Sequence, residues 1–354
     1  MNIYSILQLC GGLAFFLFGM HVMSGSLEKL AGGNLQKILK EMTSNPIKSL
    51  FFGAIITIAI QSSSALTVML VGLVNSGIME LAQTVGVIMG SNVGTTLTAW
   101  ILSLSGIESD NLFISMLKPE NFSPVIALIG VIMIMGSKKE KHKDVGIIMA
   151  GFAVLMYGMQ LMSGAVSPLA DMPEFTNLLT TFNNPFLGVL IGAVFTGVIQ
   201  SSAASVGVLQ ALAMTGTISY GMAIPIIMGQ NIGTCVTVLL SSIGVNKNAK
   251  RVSIIHISFN LFGTLIGLVL YCILRYAAGL VVFDESISPV MIAAFHSVFN
   301  IVTTILLLPF SNVLVKIAKK LVTNDKTDGE VVLDERLLLS PGLAVQECLE
   351  KTNE

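Results

Sequence analysis

Long apolar runs separated by short polar or charged turns dominate this chain. Runs near residues 4–27, 122–137, 145–166, 252–277 and 289–315 each predict a membrane-spanning helix. Two further apolar stretches, 46–75 and 185–214, do not fit one helix each. At about 1.5 Å per residue, a straight helix of thirty residues measures roughly 45 Å, against a hydrocarbon core of about 30 Å. Both stretches are interrupted at the centre by Gln-Ser-Ser, at 61–63 and 200–202. The pattern predicts two half-helices in each, folded into a re-entrant hairpin with the polar triplet at its tip. Each hairpin is followed by an apolar segment carrying GSNVGTT (90–96) or GQNIGTC (229–235). The paired glycines around an asparagine predict a discontinuous helix at both places.

These features recur because the chain repeats itself. Shifted by 139 residues, Asn45-Pro46 meets Asn184-Pro185, Gln61-Ser62-Ser63 meets Gln200-Ser201-Ser202, and Gly90, Asn92, Gly94 and Thr95 meet Gly229, Asn231, Gly233 and Thr234. The register also aligns FGMHVMSGS (18–26) with YGMQLMSGA (157–165). About thirty of the eighty-seven aligned positions between Gly12 and Thr98 are identical, too many for shared hydrophobicity alone. The division is therefore repeat 1 at 1–137, repeat 2 at 138–320, and a tail at 321–354.

Composition agrees with a bilayer as solvent: 53% of residues are hydrophobic, 11% are charged, and the mean hydropathy is +0.84. A net charge of −1 gives no footprint for nucleic acid. The placement of charge is more informative. Lys29, Lys37, Lys40 and Lys48, then Lys138, Lys139, Lys141 and Lys143, then Lys247, Lys250 and Arg251, then Lys316, Lys319 and Lys320 occupy one set of turns. The alternate turns, 106–121, 167–184 and 278–288, are acidic. If basic turns are cytoplasmic, the hairpin reading places every turn consistently. The first hairpin then enters from the cytoplasm and the second from outside. The expected fold is an all-α polytopic membrane protein of two inverted-topology repeats among lipids, with its N-terminus outside and its C-terminus cytoplasmic. The apolar N-terminal run lacks a basic flank and a small-residue cleavage signal, so it is read as a retained helix.

Inverted repeats with broken helices near the midplane are the architecture of secondary transporters. A serine directly after each break stands where a helix N-cap would, so hydroxyls and first-turn N–H groups can face one anion. From Phe175 to Asn246 and from Leu81 to Ile107 there is no Asp, Glu, Lys or Arg. An anion buried among neutral groups leaves its charge uncompensated, which points to co-transported cations. Without an intramembrane carboxylate, a proton relay is disfavoured, and amide, hydroxyl and carbonyl oxygens suit sodium.

The paired QSSSALT and QSSAAS tips, each followed by G-x-N-[VI]-G-T, resemble the bacterial sodium/phosphate cotransporters related to animal type II sodium-phosphate cotransporters. HISFN (256–260) and HSVFN (296–300) add a His-x-x-Phe-Asn element similar to that family's. The resemblance implies inorganic phosphate as substrate, sodium as coupling ion, no cofactor and a place in a bacterial inner (plasma) membrane. It maps the phosphate cradle onto Gln61, Ser62, Ser63, Ser64, Gln200, Ser201 and Ser202. Sodium ligands map onto Gln61, Asn92, Thr95, Thr96, Gln200, Asn231 and Thr234. Ala203 stands where the first tip has Ser64, so the two halves are not equivalent. The tail at 333–351 resembles the linker into a cytosolic PhoU-like helical domain.

Other polar positions carry plainer readings. His21, His256 and His296 are read first as satisfied packing residues, with gating or pH sensing second. Asn260 and Asn300 are expected to hydrogen-bond between helices. GVLIG (188–192) and GTLIG (263–267) fit either intrachain contacts or the face of a homodimer. Cys10, Cys235, Cys272 and Cys348 have no metal-ligand spacing. A channel or passive exporter would share the cradle without sodium. A serine enzyme is disfavoured, since no G-x-S-x-G elbow or suitably spaced base is present.

Overall fold

A computed structural model describes residues 3–31, 45–106, 119–166 and 184–323. The turn segments at 107–118 and 167–183, the lysines Lys37 and Lys40, and the tail from 324 onward lie outside the described residues. Thirteen α-helices are described: α1 (Ile3–Ala31), α2 (Pro46–Ile60), α3 (Ser63–Asn75), α4 (Leu81–Ser103), α5 (Pro119–Gly136), α6 (Glu140–Val166), α7 (Pro185–Ile199), α8 (Ser202–Ala213), α9 (Tyr220–Gly233), α10 (Cys235–Ser241), α11 (Lys247–Cys272), α12 (Pro289–Leu307) and α13 (Ser311–Leu321). Among the described residues, six segments are long and apolar enough to cross a bilayer: Ile3–Leu27, Leu81–Ser103, Glu140–Val166, Tyr220–Ser241, Lys247–Ala277 and Pro289–Leu321. The chain is therefore a multi-pass, all-helical membrane protein. The run expected to span near 122–137 is shorter than these six, with its apolar part at Asn121–Gly136.

Both 46–75 and 185–214 are split as the pattern predicts. The first half-helix of each starts at an Asn-Pro pair: Asn45 and Asn184 accept hydrogen bonds from the first-turn N–H groups, and proline occupies N1, where its missing N–H costs nothing. Each half-helix ends at a glutamine in the left-handed region, Gln61 at φ 53° and Gln200 at φ 58°. A non-glycine residue held there costs roughly 1–3 kcal/mol, which the surrounding structure must offset.

The predicted discontinuity after each hairpin is not found in the first repeat. α4 runs unbroken from Leu81 to Ser103, straight through GSNVGTT. In the second repeat only Thr234, itself with helical φ and ψ, separates α9 from α10. The glycines serve packing instead. A Cβ at Gly90 would lie 1.9 Å from the Leu50 carbonyl oxygen and one at Gly94 would lie 2.6 Å from that of Ala54, both on α2. Gly229 and Gly233 stand in the same relation to Val189 and Ala193 of α7, at 2.0 and 2.5 Å. Glycines four apart let two helix backbones meet, and that close contact is the stabilising interaction where lipid leaves little hydrophobic drive. Because partner numbers rise together, 50 with 90 and 54 with 94, α2 and α4 run parallel, as do α7 and α9. Gly188 and Gly192 also face α9, and Gly263 and Gly267 face Thr303 and Phe299 of α12, so both small-residue patterns make intrachain contacts.

The helices that open the two repeats pack on each other in the opposite sense. Gly12 of α1 abuts Gly158 of α6, and Gly19 abuts Gly151. The numbers run in opposite directions, so α1 and α6 are antiparallel. Under the 139-residue shift Gly12 corresponds to Gly151 and Gly19 to Gly158, so the contact maps onto itself.

Candidate functional site

Local chemistry builds each tip in the same way. After the left-handed glutamine, Ser62 and Ser201 adopt extended backbone as N-caps of α3 and α8. Their Oγ atoms accept from the Ala65 and Ala204 N–H groups at 3.1 and 3.2 Å. The caps satisfy one first-turn donor each, leaving further N–H groups at the helix starts unpaired within the helix. The same breaks free the last carbonyls of α2 and α7. Each tip therefore pairs a helix end rich in acceptors with one rich in donors.

Both tips open onto one cavity of about 340 Å³. Gln61, Ser62, Ser63 and Ser64 line it from one hairpin, and Gln200, Ser201, Ser202 and Ala203 from the other. Thr95 of α4 and one face of α1 complete the wall. Of the sequence-predicted residues, the seven cradle positions and Thr95 are brought together here. Asn92, Thr96, Asn231 and Thr234 are not among the lining residues. Among the described residues that line it there is no Asp, Glu, Lys or Arg.

Asn92 and Asn231 instead sit in matched amide pairs. The Asn92 side-chain N–H₂ donates to Asn260 Oδ1 at 2.8 Å, and that of Asn231 donates to Asn300 Oδ1 at 2.8 Å. Asn260 and Asn300 each donate back to the carbonyl of their own histidine four residues earlier, His256 and His296, at 3.0 and 2.8 Å. That back-bond fixes the amide so that its oxygen faces the central helix, which gives the His-x-x-Phe-Asn spacing a physical purpose. The interhelical role expected for Asn260 and Asn300 is thus seen. The hydroxyls of Thr95, Thr96 and Thr234 donate to the carbonyls of Ser91, Val93 and Asn231 in the preceding turn.

The histidines divide. His256 is 2% exposed and neither ring nitrogen has a partner among the described residues, so it is packed but not satisfied. His296 Nε2 lies 3.4 Å from Asn231 Oδ1. His21 is exposed on the cavity wall, which overturns its reading as a packing residue. The signal was present in the sequence: Leu17, Met20, His21 and Ser24 share one helical face at i, i+3, i+4 and i+7.

Two further contributors escaped the sequence reading. Thr98 of α4 donates from Oγ1 to Gln61 Oε1 at 2.8 Å, while Gln61 Nε2 donates to the Ile58 carbonyl at 2.7 Å. Gln210, fully buried on α8, donates from Nε2 to the carbonyls of Ala99 and Pro289, each at 3.0 Å, tying the second hairpin to α4 and α12. The repeat marked Thr98 as identical to Thr237, but only the fold shows which neighbour it meets.

Comparison with known proteins follows the same geography. The Na+/Pi-cotransporter family pattern matches twice, over residues 15–164 and 154–284, once for each hairpin. YqeW of Bacillus subtilis, an uncharacterised protein, is 27% identical over 314 residues, covering 88% of this chain and 96% of its own. YjbB of Escherichia coli, whose name assigns it provisionally to inorganic phosphate export, is 25% identical over 353 residues; the alignment covers 98% of this chain and 62% of YjbB. The sodium-dependent phosphate transport protein 2A of Rattus norvegicus is 38% identical over 97 residues, 27% of this chain and 15% of its own length. No solved structure matches. With both halves of its helical core, hairpin tips included, matched by the same family pattern, the chain belongs to the Na+/Pi-cotransporter family.

Proposed function

We propose that the protein is a secondary active transporter that couples inward sodium movement to uptake of inorganic phosphate, held between the two Gln-Ser-Ser tips near the bilayer midplane. The observation that carries this reading is that both tips line one cavity. The starts of α3 and α8 supply N–H donors and positive dipole ends, the arrangement that suits a phosphate. Ser62, Ser63, Ser64, Ser201 and Ser202 add hydroxyls, and Gln61 and Gln200 add amides. Sodium takes the oxygen-rich side of the same tips: the freed carbonyls of α2 and α7, the amide oxygens of Gln61 and Gln200, and Thr95. Asn92, Thr96, Asn231 and Thr234 lie on the central helices behind them and complete the proposed sodium set. With no Asp, Glu, Lys or Arg among the described residues of the wall, co-bound cations offset the desolvation of the anion. One elementary charge crossing 100 mV yields about 2.3 kcal/mol, so two or three sodium ions suffice for steep accumulation.

The same reading makes α2–α3 and α7–α8 re-entrant hairpins in inverted repeats. Its support is geometric. α2 has 15 residues, about 22 Å, too short to cross. α4 runs parallel to α2, with Gly86 beside the Pro46 carbonyl, so the chain between Gln61 and Leu81 must come back to the end where α2 began. The self-mapping antiparallel contact of α1 with α6 is what a twofold axis in the membrane plane produces. Basic turns then face the cytoplasm of the cell that carries the protein.

Passive or outward phosphate movement is the second reading, favoured by the export named for YjbB. Uptake of radiolabelled phosphate into proteoliposomes separates the two. Accumulation above equilibrium under an inward sodium gradient, lost when potassium replaces sodium and resistant to sulfate, is expected. Equilibration at the same rate in either cation would refute the coupling.

A further inference from the structure

α11 and α12 lie antiparallel, since Gly263 faces Thr303 and Gly267 faces Phe299. With α9 they enclose a groove of about 180 Å³, lined by Met228 of α9, by Gly267, Leu270 and Tyr271 of α11, and by Phe299 and Val302 of α12. Gly267 forms its floor: a Cβ there would meet the side-chain ends of Phe299 and Met228 at 2.9 and 3.3 Å. Leu270 and Val302 are exposed, so the groove opens on the outside of two bilayer-length segments, Lys247–Ala277 and Pro289–Leu321. Its lining runs along α12 from Phe295 to Leu306, about 16 Å at ~1.5 Å per residue and roughly half of a 30 Å hydrocarbon core. One end carries a cation. The antiparallel register sets Arg275 level with Met291, beside the start of α12 and hence at the membrane boundary. The Arg275 side chain, 13% exposed, folds back over Tyr271 instead of reaching for water: Cζ lies 5.9 Å from the ring centre and Nη1 donates to Tyr271 Oη, which donates to the Gly221 carbonyl at 2.7 Å. Because that ring lines the groove, the charge stands at its end. Asp284 Oδ1 is 3.4 Å from Nη2 on a side chain 75% exposed, a contact of little strength. A guanidinium has five N–H donors, more than these two contacts use.

We propose that this groove is a phospholipid-binding site, in which one acyl chain lies between α11 and α12 over Gly267 and the lipid phosphate rests on Arg275. Three features select that occupant. The lining is apolar, its length is that of one leaflet, and its boundary end holds a guanidinium, whose planar fork matches a phosphate. Tyr271 holds the guanidinium in place, so little side-chain entropy is lost on binding. The phosphate takes the position of the Asp284 carboxylate, which turns to solvent. Met228 and Phe299 stand within one turn of Asn231 and Asn300, whose amides join α9 to α12, so a bound chain fills the space beside that contact and braces it. The groove shares no lining residue with the cavity between the tips and stands whatever that cavity carries.

The test is native mass spectrometry of the purified full chain in detergent, titrated with phosphatidylglycerol and with a diacylglycerol of the same two acyl chains. Wild type is expected to retain one phosphatidylglycerol more tightly than the diacylglycerol. Arg275→Gln should weaken phosphatidylglycerol about tenfold, the loss of one hydrogen bond to a charged group, and leave the diacylglycerol unchanged. Gly267→Leu fills the floor and should lose both lipids. Val298→Trp, at an exposed position on the rim, should do the same and decides the matter if Gly267→Leu does not fold. Added phosphatidylglycerol should raise the unfolding midpoint of wild type but not that of the two groove variants. Equal retention by all four chains overturns the site and leaves only lipid that coats any membrane helix. A wild-type dimer that retains no lipid and is split by Val298→Trp overturns it in favour of contact with a second copy. Loss in the groove variants with none in Arg275→Gln overturns the phosphate anchor, and the phospholipid with it.

Discussion

The two Gln-Ser-Ser tips share one local structure and differ in what surrounds them. Each has a left-handed glutamine, a serine N-cap and a half-helix begun by Asn-Pro. At the first tip the glutamine is pinned, its oxygen accepting from Thr98 and its amide donating to Ile58. At the second, Gln200 is exposed, and Thr237, the counterpart of Thr98, has a buried hydroxyl without a partner among the described residues. The first half also presents Ser64 and Thr95 to the cavity, where the second presents Ala203. Duplication copied the motif and its backbone but left one half clamped and the other loose. In the duplicated fold a Gln200–Thr237 bond is the natural mirror of Gln61–Thr98, so the two halves read as one interaction made and one unmade.

The largest expected effects come from the seams that the halves share. Gly90→Ala and Gly229→Ala each drive a methyl group into a carbonyl oxygen, at 1.9 and 2.0 Å, where helix backbone cannot give way. Each should destabilise by about 1–3 kcal/mol or more, the scale of overpacking. Gly25, where an added Cβ meets nothing within 4 Å, should tolerate alanine. Thermal unfolding in detergent checks all three, and unequal losses at Gly90 and Gly229 would show that the seams are not equivalent.

Next in size are the cradle hydroxyls. Ser63→Ala and Ser202→Ala remove one hydroxyl each and little volume, so folded yield should hold. The phosphate concentration for half-maximal uptake should rise about tenfold or more, the scale of one hydrogen bond to a charged group. Uptake at the wild-type level in both would dismiss the cradle, and a loss in only one would assign the anion to that half.

The smallest effects sharpen the comparison itself. Thr98→Val breaks a made bond and should cost about 1 kcal/mol, while Thr237→Val removes an unpartnered hydroxyl and should be neutral or slightly stabilising. Equal unfolding midpoints for the two variants would mean that the Gln61–Thr98 bond adds no net stability and that the halves are energetically equivalent.

Much of this was legible in the chain because it depends on near neighbours. Pro46 and Pro185, the Asn caps before them and the serines after Gln61 and Gln200 act within one helical turn, and the half-helices formed as their spacing required. The glycines of 90–96 and 229–235 were misread for an opposite reason. A glycine frees the backbone and also removes a side chain, and only the helix lying against it decides which property is used. Here α2 and α7 lie against those glycines, so α4 stayed whole.

By itself the sequence determined a membrane-embedded helical chain, its duplication, its two polar tips and their capping, since hydropathy, identity in register and local hydrogen bonding need no distant partner. Tertiary structure alone decided that the tips share a cavity, that His21 joins them, that Asn92 and Asn231 turn to Asn260 and Asn300, and that Thr98 finds a glutamine while Thr237 does not. Each of those contacts joins residues far apart in the chain, and hydroxyls and amides bond whatever packing sets within about 3 Å of them.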